Sequence, residues 1–349
     1  MAEKGPGFVH LHVHSQYSLL DGAASIDQLV KAAVANGQPA LALTDHGVMY
    51  GILKFYQAAK AAGIKPILGC EVYVARRTRH DRTPKVDESP YHLVLLAENE
   101  EGYKNLLKLS SISHVEGFYY RPRVDREVLA AHSGGLIALS SCLSGEIPEH
   151  FLAENPEAAR AAAGWYREVF GPDRFFLELQ DQGLAGQKKL NRELLRLAKE
   201  LGVGVVATND LHYLRREDAR IHDVLLCIQT GKTINDQDRM RFPTDLFYYR
   251  TPQEMAMVFA EAPEALANTG RIAERCNVQL ELGRYHLPAF QVPKGFDPAS
   301  YLEHLCREGL PRRYPEVTPE IEERLAYELS VINKMGFVPY FLIVWDFVS

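Results

Sequence analysis

The sequence has 349 residues, enough for two domains or for one large barrel with an appendage. Hydrophobic residues make up 46% and charged residues 24%, so the chain can bury a sizeable core and wholesale disorder is excluded. The 39 Lys and Arg stand against 45 Asp and Glu, a formal net charge of -6. This balance excludes a broad basic surface, and any contact with DNA must use local patches.

The cysteines and the apolar segments indicate the cellular compartment in which the protein is expected. The five cysteines contain no C-x-x-C pair, so neither a disulfide framework nor a zinc ribbon is expected. The first residues lack the apolar core of a signal peptide, and no run of about 18 apolar residues occurs. We therefore expect a cytoplasmic protein without a membrane span.

Short apolar runs alternate with helical patterns in the first part of the chain. Strands are predicted at 8–13, 40–43, 64–74, 93–97, 136–139, 175–179 and 203–207. Helices are predicted between them, including one that follows Ser25, whose capping-box partner is Gln28, and others at 49–62, 100–112 and 184–201. Seven strands separated by helices predict parallel β/α units, and the number of repeats favours a barrel over an open sheet.

Beyond residue 250 the pattern becomes entirely helical. Helices are predicted at 251–259, 263–276, 299–307 and 320–335, with a linker spaced by Pro and Gly at 283–298. The final run, 340–349, is almost continuously apolar, too short to cross a membrane and adhesive if left bare in water. We interpret it as leading into a further domain beyond Ser349, although a buried C-terminal helix would also explain it.

Three histidines, His10, His12 and His14, alternate along the first predicted strand. Alternate residues of a strand share a face, and three imidazoles on one face do not pack as an ordinary core without partners. Metal ligation explains them economically. His12 and His14 suffice for one ion, and His10 would then support a ligand from behind. Hydrogen-bonded histidines remain the alternative for so short a motif.

Further polar side chains lie near the ends of other predicted strands. Because the loops that follow parallel strands converge on one mouth of a barrel, these side chains are expected to meet. Histidines and carboxylates are the ligands that suit zinc, manganese or iron. The set comprises Asp21, Asp45, His46, Glu71, Asp210 and His212.

Two more candidates fit the pattern unequally. His92 lies at the start of its predicted strand, where a simple parallel barrel would place it at the wrong mouth, unless the strand begins earlier or the barrel is irregular there. Cys142 follows the strand 136–139 and is well placed. A thiolate ligand would favour zinc, whereas a buried free thiol is the usual alternative.

Together the motifs resemble a known family. They are His12-x-His14, Tyr17-Ser18-Leu19-Leu20-Asp21-Gly22, Thr44-Asp45-His46-Gly47, Gly69-x-Glu71 and Asn209-Asp210-x-His212. The set resembles the PHP (polymerase and histidinol phosphatase) domain, and more narrowly the N-terminal part of the α subunits of the bacterial replicative DNA polymerase III family. The run 336–346 resembles the segment that leads into the palm of those subunits. The resemblance implies an α/β fold, a distorted (βα)7 TIM-like barrel at 1–285, followed at 286–349 by a small, mainly helical start of the polymerase region.

The resemblance also implies a metal cluster of up to three ions, expected to be zinc, with manganese or magnesium as alternatives. One ion would be bound by His12, His14, Glu71 and Asp210, which together would hold the catalytic hydroxide. The second would be bound by Asp21, His46 and His212, and the third by Glu71, His92 and Cys142, with Glu71 bridging. His10 and Asp45 would lie behind the ligands.

The implied function is that of a metal-dependent phosphodiesterase within a DNA polymerase, a proofreading 3′–5′ exonuclease whose nucleophile is a metal-activated hydroxide. This chain alone is not expected to polymerise DNA, because the palm carboxylates would lie beyond it. DNA would contact Arg76, Arg77 and Arg79, unless that basic stretch is merely a solvated loop. Other expected partners are the remainder of the polymerase α subunit, a proofreading exonuclease subunit and other replisome subunits.

Three alternative functions stay open. A non-catalytic barrel stabilised by metal could support the polymerase and dock a proofreading subunit. A small-molecule phosphatase of the histidinol-phosphatase type would use the same cluster and would suit the acidic net charge. An amidohydrolase barrel shares the H-x-H opening but relies on a bridging Lys, where this sequence has Glu71.

Overall fold

The computed structural model describes residues 7–19, 21–283 and 288–349. The chain divides into two compact units, Met1–Gln279 and Leu280–Ser349. The domain boundary expected between residues 285 and 286 lies outside the described residues, so it stays a prediction.

The first unit is built on a curled sheet of seven strands. The strands are β1 (Ala40–Leu43), β2 (Lys65–Val74), β3 (Tyr91–Ala97), β4 (Arg123–Val124), β5 (Leu136–Leu139), β6 (Phe175–Leu179) and β7 (Gly204–Ala207). Their order in the sheet is β1-β2-β3-β5-β6-β7, and the short β4 pairs with the end of β2. Six of the predicted strands are present, while β4 had no counterpart in the sequence analysis.

One strand runs against the others. β1 is parallel to β2, and β5, β6 and β7 are parallel to one another, but β3 is antiparallel to both β2 and β5. The expectation of an entirely parallel sheet was therefore wrong at β3. The chain between β2 and β3 contains no helix, and an antiparallel return requires no helical crossover.

The segment 8–14 connects the two edges of the sheet. On the side of β1, the amide of Ala42 donates to the carbonyl of His10 at 3.0 Å. On the side of β7, the amide of Leu211 donates to the carbonyl of His12 at 3.1 Å. The predicted strand 8–13 was wrong as a regular strand, because its bonds are divided between two neighbours. By joining both edges it closes the distorted α/β barrel that was expected.

Helices surround this sheet. They are α1 (Ile26–Ala35), α2 (Ile52–Ala61), α3 (Glu100–Val115), α4 (Arg126–Ala131), α5 (Glu146–Leu152), α6 (Pro156–Phe170), α7 (Gln187–Leu201), α8 (Ala219–Thr230), α9 (Pro252–Val258) and α10 (Pro263–Arg275). The predicted capping box of Ser25 and Gln28 is present at the start of α1. Val9 and Leu11 of the closing segment pack in one buried apolar cluster with Ile67, Val94 and Val206.

The second unit consists of α11 (Pro298–Arg313), α12 (Pro319–Lys334) and α13 (Val338–Val348), packed around Leu302, Val338 and Leu342. Much of α13 remains exposed, and Phe347 is 91% exposed. Within the described ranges, no single helix is both long and apolar enough to span a membrane. The helices α12 and α13 meet that criterion only when taken together, and they are bent by 112°.

Candidate metal centre

The first predicted group of ligands meets at the mouth of the barrel. His12 Nε2 lies 3.3 Å from Glu71 Oε1 and 3.2 Å from Asp210 Oδ1. His14 Nε2 lies 3.2 Å from the same oxygen of Asp210. Donor atoms of His12, His14 and Glu71 all lie within 4.8 Å of one another, so one ion could contact all three.

The second predicted group adjoins the first through His14. His46 Nε2 is 3.2 Å from Asp21 Oδ2, and the rings of His14 and His212 are 4.5 Å apart. The structure also brings His14, His46 and His212 together as a trio of nitrogen donors. His14 therefore lies between two candidate ion positions.

The third predicted group contains His92 and Cys142 together with Glu71. His92 Nδ1 lies 3.1 Å from Glu71 Oε1, and Cys142 Sγ lies 3.8 Å from His92 Nδ1. His92 reaches this mouth because β3 is antiparallel, so that its first residues lie beside the end of β2. His46, Glu71 and His92 form a further trio that could hold an ion.

Two residues at this mouth have left-handed backbone conformations that are unusual for non-glycine residues. Asp210 has φ 47° and Ser141 has φ 64°. Ser141 Oγ donates to Glu71 Oε1 at 2.6 Å. Such conformations cost free energy and persist only where surrounding contacts require them, often at functional sites. Here these conformations direct two side chains into the cluster, the candidate ligand Asp210 and Ser141, which donates to Glu71.

Glu178 orients His12 and was missed by the sequence analysis. Its Oε1 accepts from His12 Nδ1 at 2.7 Å and from Gln180 Nε2 at 2.8 Å, and Thr208 donates to the same oxygen. This fixes the ring of His12 with Nε2 directed at Glu71 and Asp210. The available signal was one carboxylate in the middle of the apolar run Phe-Phe-Leu-Glu-Leu.

Asp45 and His10, predicted to lie behind the ligands, have different surroundings. Asp45 accepts from Ser18 Oγ at 2.8 Å, and Ser18 Oγ lies 3.0 Å from His14 Nδ1. Asp45 is thus linked to the candidate ligand His14 through the hydroxyl of Ser18. His10 Nε2 donates to the carbonyl of Arg250 at 2.8 Å, and among the described residues no hydrogen bond joins it to the nine candidate ligands.

The buried polar atoms of the cluster fit a cation. His12 Nε2, His46 Nδ1, Glu71 Oε2 and Asp21 Oδ1 are buried without a hydrogen-bond partner in the described structure. His46 Nδ1 and Glu71 Oε2 approach to 2.6 Å without the geometry of a hydrogen bond. Such atoms are costly to bury, and metal ions bound at these positions would give each of them a partner.

The protonation preferences of the cluster also suit a metal. Burial, helped by His46 and His212, lowers the pKa of His14 to about 3, so this imidazole is neutral and able to ligate. Burial opposes ionisation of Glu71, yet the neighbouring histidines, His92 first, hold the pKa of that carboxyl well below its usual range. Burial raises the pKa of the Cys142 thiol, so a thiolate there would need a metal.

A cleft of about 460 Å³ opens over the candidate ligands. Its lining includes Asp21, His46, His92, Cys142, Asp210 and His212, together with Tyr73, Arg121, Met240 and Phe242. A substrate entering it would meet the predicted metal ligands directly. The sequence analysis did not identify Tyr73, Arg121 or Phe242, because nothing in their local pattern marks them as neighbours of the cluster.

The three arginines predicted to contact DNA already have anionic partners. Arg76 binds Glu149 at 2.8 Å and Arg77 binds Asp87 at 2.5 Å. Arg79 pairs with three carboxylates, those of Glu116, Asp125 and Glu127. These ion pairs give each guanidinium a structural role, and its part in DNA binding stays a prediction.

The fold is that of a PHP domain, and the family model of that description matches residues 10–182. A second family model, the bacterial DNA polymerase III alpha NTPase domain, matches residues 300–349. The chain belongs to the family of bacterial DNA polymerase III alpha subunits.

The relatives are of that same family. Over 344 residues the chain is 50% identical to the DNA polymerase III subunit alpha of Treponema pallidum (strain Nichols), covering 98% of this chain and 29% of the relative. It is 48% identical over 345 residues to that of Borreliella burgdorferi, covering 98% of this chain and 30% of the relative. The chain thus spans less than a third of the length of these curated relatives.

Among solved structures, a protein from Bifidobacterium adolescentis described as a candidate metal-dependent phosphoesterase is similar, with a TM-score of 0.39 and 15% identity. The match covers 73% of this chain and 97% of that protein. A structural similarity with so low a TM-score supports no inference about function.

Proposed function

We propose that this chain is a metal-dependent phosphodiesterase that removes nucleotides from the 3′ end of DNA, a proofreading 3′–5′ exonuclease within a replicative polymerase. The observation that supports this is the convergence of nine side chains able to bind metal beneath one open cleft. The three trios of donor atoms found in the structure are adjacent, since each pair of trios has one residue in common, His14, His46 or Glu71.

Divalent ions bound at these residues would lower the pKa of water and neutralise charge on phosphate oxygens. Glu71 directs one oxygen towards His12 and His92 and the other towards His46, so it can serve two ion positions. Zinc suits the nitrogen-rich set with Cys142, and manganese or magnesium are the alternatives. In the reaction, the oxygen of water adds to phosphorus, the bond to the 3′ oxygen breaks, and that oxygen gains a proton.

The test is hydrolysis of single-stranded DNA by the purified chain in zinc, manganese or magnesium. A 5′-labelled oligonucleotide should shorten stepwise from its 3′ end, whereas p-nitrophenyl phosphate should turn over poorly. Asp210→Asn should abolish shortening, and Asp27→Asn, which alters a carboxylate exposed on α1, should not. Absence of shortening in every metal would contradict the proposal, and rapid monoester turnover would favour a small-molecule phosphatase.

A structural role is the second candidate, supported by where the ligands come from. His12 lies in the closing segment, Glu71 in β2, His92 in β3 and Asp210 just after β7. A metal bound by them would fasten both edges of the sheet and stabilise the barrel. Such a barrel could support the rest of the α subunit or dock a proofreading subunit without any catalysis.

The wider setting of the chain is also part of the proposal. Its partners would be DNA, the remainder of the polymerase α subunit and other replisome subunits, and its location would be the cytoplasm.

A further inference from the structure

A short turn, residues 118–122, stands beside the cleft of the metal centre. It leads into β4, which pairs with the end of β2 so that Tyr73 is opposite Arg123. This places the guanidinium of Arg121 5.8 Å from the centre of the Tyr73 ring. The Tyr73 ring in turn lies 6.0 Å from that of His46 and 5.1 Å from that of His92. One layer of rings therefore connects Arg121 to two candidate metal ligands.

Arg121 differs from the arginines that precede it in the sequence. Arg76, Arg77 and Arg79 are each bound to carboxylates. Arg121 lines the cleft and is exposed, and within the described ranges its guanidinium has no ion pair or hydrogen bond. A guanidinium offers five donors in a planar fork that matches two phosphate oxygens. Its free donors make it the better candidate to bind an anion at this site.

The base of the turn is held rigidly. Arg123 is fully buried, and its guanidinium donates to the carbonyls of Gly117, Asp87, Arg79 and Asp81. Gly47, next to His46, lies so close to the turn that an added Cβ would be 2.9 Å from Pro122. Arg121 is thus presented to the cleft by a fixed backbone, which lowers the entropy cost of binding.

Two aromatic side chains of the same turn are presented to solvent. Tyr120 is 65% exposed and Phe118 is 52% exposed. Tyr120 has φ 58°, a left-handed conformation that is unfavourable for an aromatic residue. Exposed aromatic rings beside a free cation are the combination by which proteins bind single-stranded nucleic acid, since bases stack on the rings and phosphates pair with the cation.

We propose that the 118–122 turn binds the substrate of the metal centre, with Arg121 taking a phosphate of a single-stranded DNA end and Tyr120 stacking on a base. The inference rests on the proposed function in that the bound phosphate is a phosphodiester directed to the metal cluster. It also assigns the substrate class, since a base within a duplex is already stacked and unavailable to Tyr120.

This inference can be tested by measuring how tightly the 349-residue chain binds a fluorescein-labelled single-stranded oligonucleotide. The affinity is measured by fluorescence anisotropy at several salt concentrations, with calcium as the divalent ion in the buffer. Arg121→Ala should weaken binding about tenfold or more and reduce the slope of log affinity against log salt by about 0.7. Tyr120→Ala should weaken binding at least about fivefold, and Tyr120→Phe should restore it. The control is Arg82→Ala, which removes an exposed arginine of the basic stretch that does not line the cleft.

The outcomes separate this inference from the proposed exonuclease. Unchanged affinity and salt slope in Arg121→Ala and Tyr120→Ala would overturn the inference, even if the chain shortens DNA. Selective loss of binding in both variants would support it, even if no metal yields hydrolysis. Equal affinity of the wild type for a blunt duplex would overturn the assignment to single strands. Melting temperatures equal to that of the wild type would show that the variants are folded.

Discussion

The orientation of His12 depends on a single carboxylate behind it. Glu178 is buried in β6 and accepts from His12 Nδ1, which leaves Nε2 directed at Glu71 and Asp210. A carboxylate in this position fixes the tautomer of a ligating histidine and makes its free nitrogen a stronger donor. Glu178 therefore bears on metal affinity without being a ligand of the predicted set.

Glu178→Gln preserves the volume of the side chain but removes its charge. We expect metal affinity to fall about 10- to 100-fold, as is typical when the partner of a ligating histidine is lost. Competition with a chromophoric chelator measures the change. Glu200→Gln, in an exposed ion pair with Arg160, is the matched control. Equal affinity in the two variants would show that Glu178 does not act on the site.

At this scale, the chemical types of the candidate ligands could be predicted from the sequence, but their supports could not. His12 and His14 can be identified because they occupy alternate positions of an apolar run. Asp210 and His212 can be identified because they follow a predicted strand. Glu178 looks like an isolated polar residue until the folded sheet places it beside His12. Contacts between residues that far apart depend on strand order, which local periodicity does not encode.

The strand β3 is the element where prediction from sequence failed most instructively. Its apolar run predicts a strand equally well in either direction, and the sequence analysis chose the parallel one. The stretch between β2 and β3 is rich in charge and lacks a helical pattern, which should have favoured an antiparallel return. The antiparallel direction explains how His92, included by resemblance although its position contradicted a parallel barrel, lies beside Glu71.

The link between β2 and β3 is stabilised by its own ion pairs, which gives a prediction on pH. Hydrogen bonds from Arg77 hold the pKa of Asp87 at about 2, below its usual value of 3.8. Because the folded-state pKa is depressed, the stabilisation is complete above 3.8 and is lost as the pH falls towards 2. Chemical unfolding of the chelated protein should show Asp87→Asn less stable than the wild type near neutral pH, with the difference shrinking in that acid window.

The interaction with Arg77 can be isolated in the same experiment. Arg77→Gln should show the same convergence with the wild type, because it removes the other half of the pair. A difference between Asp87→Asn and the wild type that is constant down to pH 2 would contradict the assignment.

Close packing at the start of α3 gives a prediction at the scale of one helix. A Cβ at Gly102 would be 1.8 Å from the carbonyl oxygen of Gly135, a distance that requires the backbone to move. Gly102→Ala should therefore destabilise the protein by at least about 2 kcal/mol. Gly164→Ala, inside α6 with nothing within 4 Å of the added Cβ, should stabilise it by about 0.5–1 kcal/mol. Thermal unfolding would distinguish the opposite signs.

For the whole molecule, the site and the closure of the barrel are one arrangement. The segment that carries His12 and His14 joins β1 to the chain after β7 by isolated hydrogen bonds rather than by regular ladders. The candidate ligands His12, His14 and Asp210 lie at this closure, where regular ladders are absent from the described structure. The barrel class could be predicted from the count of strands, but the irregular closure could not, because the apolar alternation of residues 8–13 looks like that of an ordinary strand.

Removal of metal should therefore destabilise the folded barrel as well as change the cleft. A ligand present at 100 times its dissociation constant stabilises the folded state by about 2.7 kcal/mol, and for a chain of this size each kcal/mol shifts the melting temperature by about 1–2 °C. We expect chelation of the metal-loaded protein to lower its melting temperature by about 3 °C or more. His14→Ala, which removes a donor shared by two groups, should melt at nearly the same temperature with and without chelator. If the wild type is equally insensitive, metal does not fasten the barrel, and a role for the cluster would have to be sought in catalysis alone.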